Sequence, residues 1–199
     1  MTCPGSRHPP PIGLVLAGGA GRRIGGGKAV AVLGGRPLVA YPVDALRTTL
    51  ADVVVQAKPE SALPELAGVI VWREPPFPRH PLFAIVHALE RAAPRAVLVC
   101  AGDLPFVTPA LIARLAKASG GEAAVVAAVG GRIHPLLALY RPAALAALRD
   151  ALRRRPDGSL TAAVEALEPV RLAAAETELM NVNTPEDLGR AEALLASRR

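Results

Sequence analysis

The stretch from Leu16 to Lys28, LAGGAGRRIGGGK, packs six glycines, two arginines and a lysine into one short segment. Glycines let backbone N–H groups approach oxyanions closely, and Arg and Lys neutralise the charge of a polyphosphate. The segment follows Ile12–Ala17, an apolar run that reads as a buried parallel strand, and α/β proteins bind phosphates at the carboxyl ends of such strands. Two familiar phosphate loops do not fit. A Walker loop requires glycine at Arg22 and Ser or Thr at Ala29. A dinucleotide fingerprint requires Gly or Ala at Ile24 in one register and its middle glycine at Arg23 in the other. A glycine-rich polyphosphate loop of another kind remains.

Three other places offer polar groups suited to phosphoryl chemistry. Asp103 lies in CAGDLPF, just after the buried run Arg95–Ala101. One carboxylate suffices to hold Mg²⁺, which keeps most of its positions for phosphate oxygens and water. An Asp here can also cap a helix, but Thr108, followed by Pro109, is the better cap. In NVNTPED, Thr184 and Pro185 read as N-cap and first helical residue, with Asp187 completing a capping box. Asn181 and Asn183 are then left either as turn formers or as neutral amides that orient phosphate. The third place is Gln56, which ends a Val53–Val55 run. Further on, Glu74 is the local carboxylate, beside Arg73.

Taken together, LAGG-x-x-RR-x-GG-x-K, the GD-x-P-F segment and NVNTP resemble the nucleotidyltransferase superfamily. Within it, the chain is most similar to the molybdenum cofactor guanylyltransferases, which link GMP from GTP to molybdopterin. The similarity runs from Ile12 to the last helix. It implies a three-layer, Rossmann-like α/β nucleotidyltransferase fold with a mainly parallel sheet. It also implies Mg²⁺ as cofactor, GTP and a molybdopterin-type phosphate acceptor as partners, and contact with other enzymes of the molybdenum cofactor. Backbone at Leu16, Ala17, Gly18 and Gly19 would hold nucleotide, and Lys28 with Arg22 and Arg23 would grip the triphosphate. Lys28, Arg22 and Asp103 would form the catalytic set, with Asp103 the metal ligand. Gln56 and Asn183 would lie near the nucleotide, and Glu74 or Arg73 would face the base.

The chain departs from this family at HPLFA, where His80 and Ala84 occupy positions expected to be glycine in a GPL-x-G turn. A β-carbon there can obstruct close approach of backbone to ligand. A molybdopterin cytidylyltransferase, or a nucleotide-binding regulator without transfer activity, are the alternative readings. His80 reads as a phosphate contact or a turn residue. Arg132 and Arg141 flank a segment that resembles the family's approach to the acceptor side, and read as pterin-phosphate contacts or solvated arginines. His87 and His134 are assigned no catalytic part.

The elements that must position these groups alternate. Helical spacing runs over Pro37–Leu50, Pro81–Ala93, Thr108–Lys117 and Ala143–Arg155, with a last helix opened by Thr184. Strand-like runs are Val53–Val55, Val69–Val71, Arg95–Ala101, Ala123–Val129, Leu136–Tyr140 and Leu179–Val182. This alternation predicts a parallel sheet with helices on both faces. At 199 residues and 51% hydrophobic content, one domain over 12–199 is expected, behind a disordered Pro-rich tail at 1–11. No apolar run is long enough to span a membrane, and no export signal is evident, so a cytoplasmic address is expected. The net charge of +6 suits a polyanionic substrate, while six aromatic residues give no stacking platform for nucleic acid. Two cysteines make no disulfide framework or zinc spacing.

Overall fold

Runs of Val, Leu and Ala without polar alternation make strands that are buried on both faces. Three such runs, β1 (Ile12–Leu16), β4 (Val53–Ala57) and β6 (Val97–Ala101), form the centre of the sheet. A computed structural model describes residues 9–17, 30–118 and 120–197. The sheet has seven strands in the order β5-β4-β1-β6-β8-β7-β9, with β5 at Ile70–Arg73, β7 at Ala124–Val129, β8 at Arg132–Tyr140 and β9 at Val170–Ala173. Its pairings are parallel except for β8, which runs antiparallel to both β6 and β7. The mainly parallel α/β sheet with flanking helices is therefore as expected.

Helices α1 (Ala40–Arg47) and α3 (Pro109–Lys117) bury Val43, Leu46, Leu111, Ile112 and Leu115 with Val15, Val55 and Leu98 on one face. On the other face α2 (Pro81–Ala92), α4 (Ala144–Arg154) and α5 (Leu160–Glu165) cover Leu14, Val54, Val99 and Tyr140. These are the outer layers of a three-layer domain. The last helix, α6 (Pro185–Ala196), buries Ala191 in a smaller cluster with Leu33, Leu38, Phe106 and Val182.

Helix starts follow the capping chemistry. Thr108 Oγ1 accepts from the Leu111 N–H at 3.2 Å. Thr184 Oγ1 accepts from the Asp187 N–H at 3.2 Å, and Asp187 Oδ2 accepts in return from Thr184 at 3.0 Å, closing the expected box.

Some local expectations are corrected. Pro37 is not in the first turn of a helix. It belongs to β3 (Arg36–Pro37), which pairs with β2 (Val32–Leu33) in a separate two-stranded hairpin. The turn between them is Gly34-Gly35, with φ of 55° and 82°, a conformation glycine adopts without strain. Leu179–Val182 is not a strand. A 3₁₀ turn over Glu176–Leu179 occupies its start, and the sheet position falls to β9 instead. β8 begins at Arg132 rather than Leu136. Residues 1–8 of the expected tail lie outside the described residues, while the Pro10 carbonyl accepts from Arg95 Nε at 2.8 Å. No described helix is long and apolar enough to cross a membrane.

Candidate active site

Parallel pairing puts the carboxyl ends of neighbouring strands on one edge. Leu16 is in register with Gln56 on one side and with Ala101 on the other. Beyond the strand end, the Ala17 N–H donates to Gln56 O at 2.9 Å and the Gly102 N–H to Leu16 O at 3.0 Å. A β-carbon on Gly102 would lie 3.0 Å from the Leu16 carbonyl oxygen, so any larger residue would press these two backbones apart by a few tenths of an ångström. Asp103 follows at once, half-buried at the same edge.

The closing segment reaches this edge from the far end of the chain. β9 is parallel to β7 and ends there, and the Val182 N–H donates to Asp103 O at 3.0 Å. That bond sets Asn181 and Asn183 next to the Asp103 backbone. Asn183 is half-buried, and its N–H donates to Asp187 Oδ2 at 2.9 Å. Hydrogen bonds from Asn183, Arg190 and Thr184 hold the Asp187 carboxyl below the usual carboxylate range. Leu16, Ala17, Gln56, Asp103 and Asn183 thus gather at one edge of the sheet. Gly18, Gly19, Arg22, Arg23 and Lys28 lie outside the described residues.

Gln56 does not project freely from the edge. It is fully buried on the α2 side, where Nε2 donates to Ala84 O at 2.9 Å and Oε1 lies 3.3 Å from His87 Nδ1. Beside it, Glu74 is 4% exposed, and its Oε2 stands 3.4 Å from Lys58 Nζ. Burial pushes the Glu74 carboxyl above the usual carboxylate range, and Lys58 opposes that rise. Arg73 points elsewhere, donating from Nη1 to Lys58 O at 2.8 Å. Of the two residues considered for the base, Glu74 is the one grouped with Gln56.

His80 is the N-cap of α2, with Nδ1 accepting from the Leu82 N–H at 3.2 Å, which accounts for it without a phosphate. Arg141 is likewise accounted for, donating to Glu122 O at 2.7 Å and Ala118 O at 2.6 Å. Lys58 is the residue that sequence reasoning passed over. Its signal was slight: one of three lysines in a chain with 20 arginines, two residues after Gln56 at the end of a buried strand.

Among the described residues there is no group of three or more His, Cys, Asp or Glu that would hold a metal by itself. At this edge the carboxylate of Asp103 comes just after the end of β6. That hard oxygen ligand fits a Mg²⁺ ion that takes its other ligands from phosphates and water.

The model of the MobA-like NTP transferase domain matches residues 13–170. The chain belongs to that family. Among its relatives, the molybdenum cofactor guanylyltransferase of Cereibacter sphaeroides is 38% identical over 193 residues, covering 92% of this chain and 96% of that protein. The probable molybdenum cofactor guanylyltransferase of Mycobacterium bovis is 38% identical over 186 residues, covering 90% and 92%. Among solved structures, molybdopterin-guanine dinucleotide biosynthesis protein A from Archaeoglobus fulgidus superposes with a TM-score of 0.75 at 25% identity, over 93% of this chain and 98% of that one. A nucleotidyl transferase from Methanothermobacter thermautotroptrophicus superposes with a TM-score of 0.76 at 21% identity, over 96% and 99%, a likeness of fold. In this MobA-like chain the edge that carries Asp103 is the carboxyl edge of a nucleotidyltransferase sheet.

Proposed function

We propose that the protein transfers GMP from GTP to the phosphate of a molybdopterin-type acceptor, releasing pyrophosphate. The observation that carries this reading is the register of β4, β1 and β6, which sets Leu16–Ala17, Gln56 and Asp103 on one edge, with Val182 bonded to the Asp103 carbonyl. The names of the relatives at 38% identity supply the direction of the chemistry.

In the proposed reaction an oxygen of the acceptor phosphate forms a bond to the α-phosphorus of GTP. The bond from that phosphorus to the oxygen bridging it to the β-phosphate breaks in line, and pyrophosphate departs with the electron pair. No covalent intermediate with the protein is needed, so catalysis rests on positioning and charge neutralisation. The backbone at Leu16, Ala17, Gly18 and Gly19 holds the nucleotide. Lys28, Arg22 and Arg23 neutralise the triphosphate. Asp103 is the ligand for Mg²⁺, which when bound supplies positive charge to phosphate oxygens. Asn183 orients a phosphate oxygen or a water without adding charge. Glu74, beside Gln56, accepts from the N1–H and amino group of guanine through Oε1, the oxygen that Lys58 does not face.

The test is to incubate the purified protein with Mg²⁺, molybdenum-loaded molybdopterin and each of GTP, CTP and ATP separately, then identify the dinucleotide. The guanine dinucleotide is expected. The cytosine dinucleotide would replace the guanylyl reading with a cytidylyl one, and nucleotide binding without product would mark a regulator.

A further inference from the structure

A lysine at the end of a buried strand ordinarily turns its ammonium to water. Lys58 does not: the residue is 4% exposed. Its Nζ donates to Pro75 O at 2.7 Å and to Pro78 O at 2.8 Å, and lies 3.4 Å from Glu74 Oε2. It also stands 5.2 Å from the centre of the Phe83 ring, on the first turn of α2. Four consecutive partners in chain order, Glu74, Pro75, Pro78 and Phe83, are therefore gathered around one positive charge. Between them runs the connection from β5 to α2, rich in proline and without regular hydrogen bonding of its own.

Removing such a cation leaves two carbonyl oxygens without this donor and a carboxylate without its nearest positive charge, in a place water scarcely reaches. Glu74 Oε2 is itself buried and makes no hydrogen bond, so the Lys58 charge 3.4 Å away is the main compensation for it, with Gln56 assisting at the carboxyl group. The connection would then be free to move, and the carboxylate with it.

We propose that Lys58 is a positioning residue for base selection, clamping the 74–78 connection so that the Glu74 carboxylate is presented to guanine. This rests on the reading of Glu74 given under the proposed function. Lys58 touches no substrate in this account. It acts through the carboxylate beside it.

The test measures affinity of GTP, ATP and CTP for wild type, Lys58→Met, Lys58→Arg, Glu74→Gln and the double variant, with thermal denaturation of each. Wild type is expected to prefer GTP. Lys58→Met is expected to weaken GTP at least tenfold while leaving ATP and CTP unchanged, because the triphosphate grip lies in another loop. A site that had merely collapsed would weaken all three together. Lys58→Arg, which keeps charge and donors, restores most of the preference. The double variant is no less selective than Glu74→Gln alone, because both changes act on one carboxylate. If Lys58→Met does not fold, Lys58→Gln, which keeps a donor but no charge, carries the same test. A folded Lys58 variant that keeps the full preference for GTP, or that loses all three nucleotides equally, overturns the proposal. A wild type with no preference for GTP overturns the guanylyl reading instead.

Discussion

Asp103 matters through two different atoms. Its backbone carbonyl receives Val182, while its carboxylate is the group we propose as the metal ligand. Asp103→Asn keeps the backbone bond to Val182 and an isosteric side chain, so it should still fold. Turnover should fall at least ~10²-fold, as when one major electrostatic contributor is removed. Undiminished transfer across a Mg²⁺ titration would contradict the assignment. Lys28→Ala should weaken GTP about tenfold at low salt, the scale of a charge-assisted hydrogen bond, with Arg22 and Arg23 covering part of the loss. Equilibrium binding checks this, and equal affinities would make Lys28 a solvated loop residue. The place of Asp103 at the sheet edge was legible in the sequence because it comes just after an apolar run that reads as a buried strand. Lys58 was not, because its partners are backbone oxygens at Pro75 and Pro78, and no side-chain pattern announces a carbonyl.

At the scale of elements, the start of α6 does more than begin a helix. Thr184 and Asp187 close their capping box directly after Asn183, and Asp187 also takes the Asn183 N–H. Thr184→Ala should cost ~1 kcal/mol of stability, read by denaturant unfolding, and should slow transfer because Asn183 loses its fixed turn. Thr184→Ser should retain both. A slower but equally stable Thr184→Ala protein would mean that the hydroxyl serves the substrate instead of the cap. Capped helices were readable because the cap is written in adjacent residues, as at Thr108 and Thr184. The hairpin at Leu33–Arg36 was missed although Gly34-Gly35 spelled its turn, because Pro37 invited a helix start and strands of two residues show no alternation. β9 was missed for a related reason: Val-Arg-Leu-Ala is too short and too charged to stand out until β7 offers it an edge.

For the molecule as a whole, buried and half-buried ionisable groups pull stability in opposite directions with pH. Burial, reinforced by Arg91 at His87 and by Arg132 at His134, lowers both imidazoles below their ordinary 6.5. Folding thus favours their neutral forms, and the stability they contribute is full above 6.5 and is lost as pH falls through the lowered values. Glu74 works the other way. Its raised carboxyl favours the protonated form in the folded state, so that contribution is full below 4.5 and lost as pH rises through the folded value. His87→Leu should therefore flatten the decline of melting temperature below pH 6.5, and Glu74→Gln should leave that acid limb steeper-sided relative to its neutral plateau. An acid limb unchanged by His87→Leu would place the titration elsewhere. The hydrogen bond from Val182 to Asp103 also has a meaning in time. Asp103 and Val182 lie far apart in sequence, so their contact forms only after both the strand that ends at Ala101 and the segment that precedes α6 have been made, and the two halves of this edge are joined late rather than grown together.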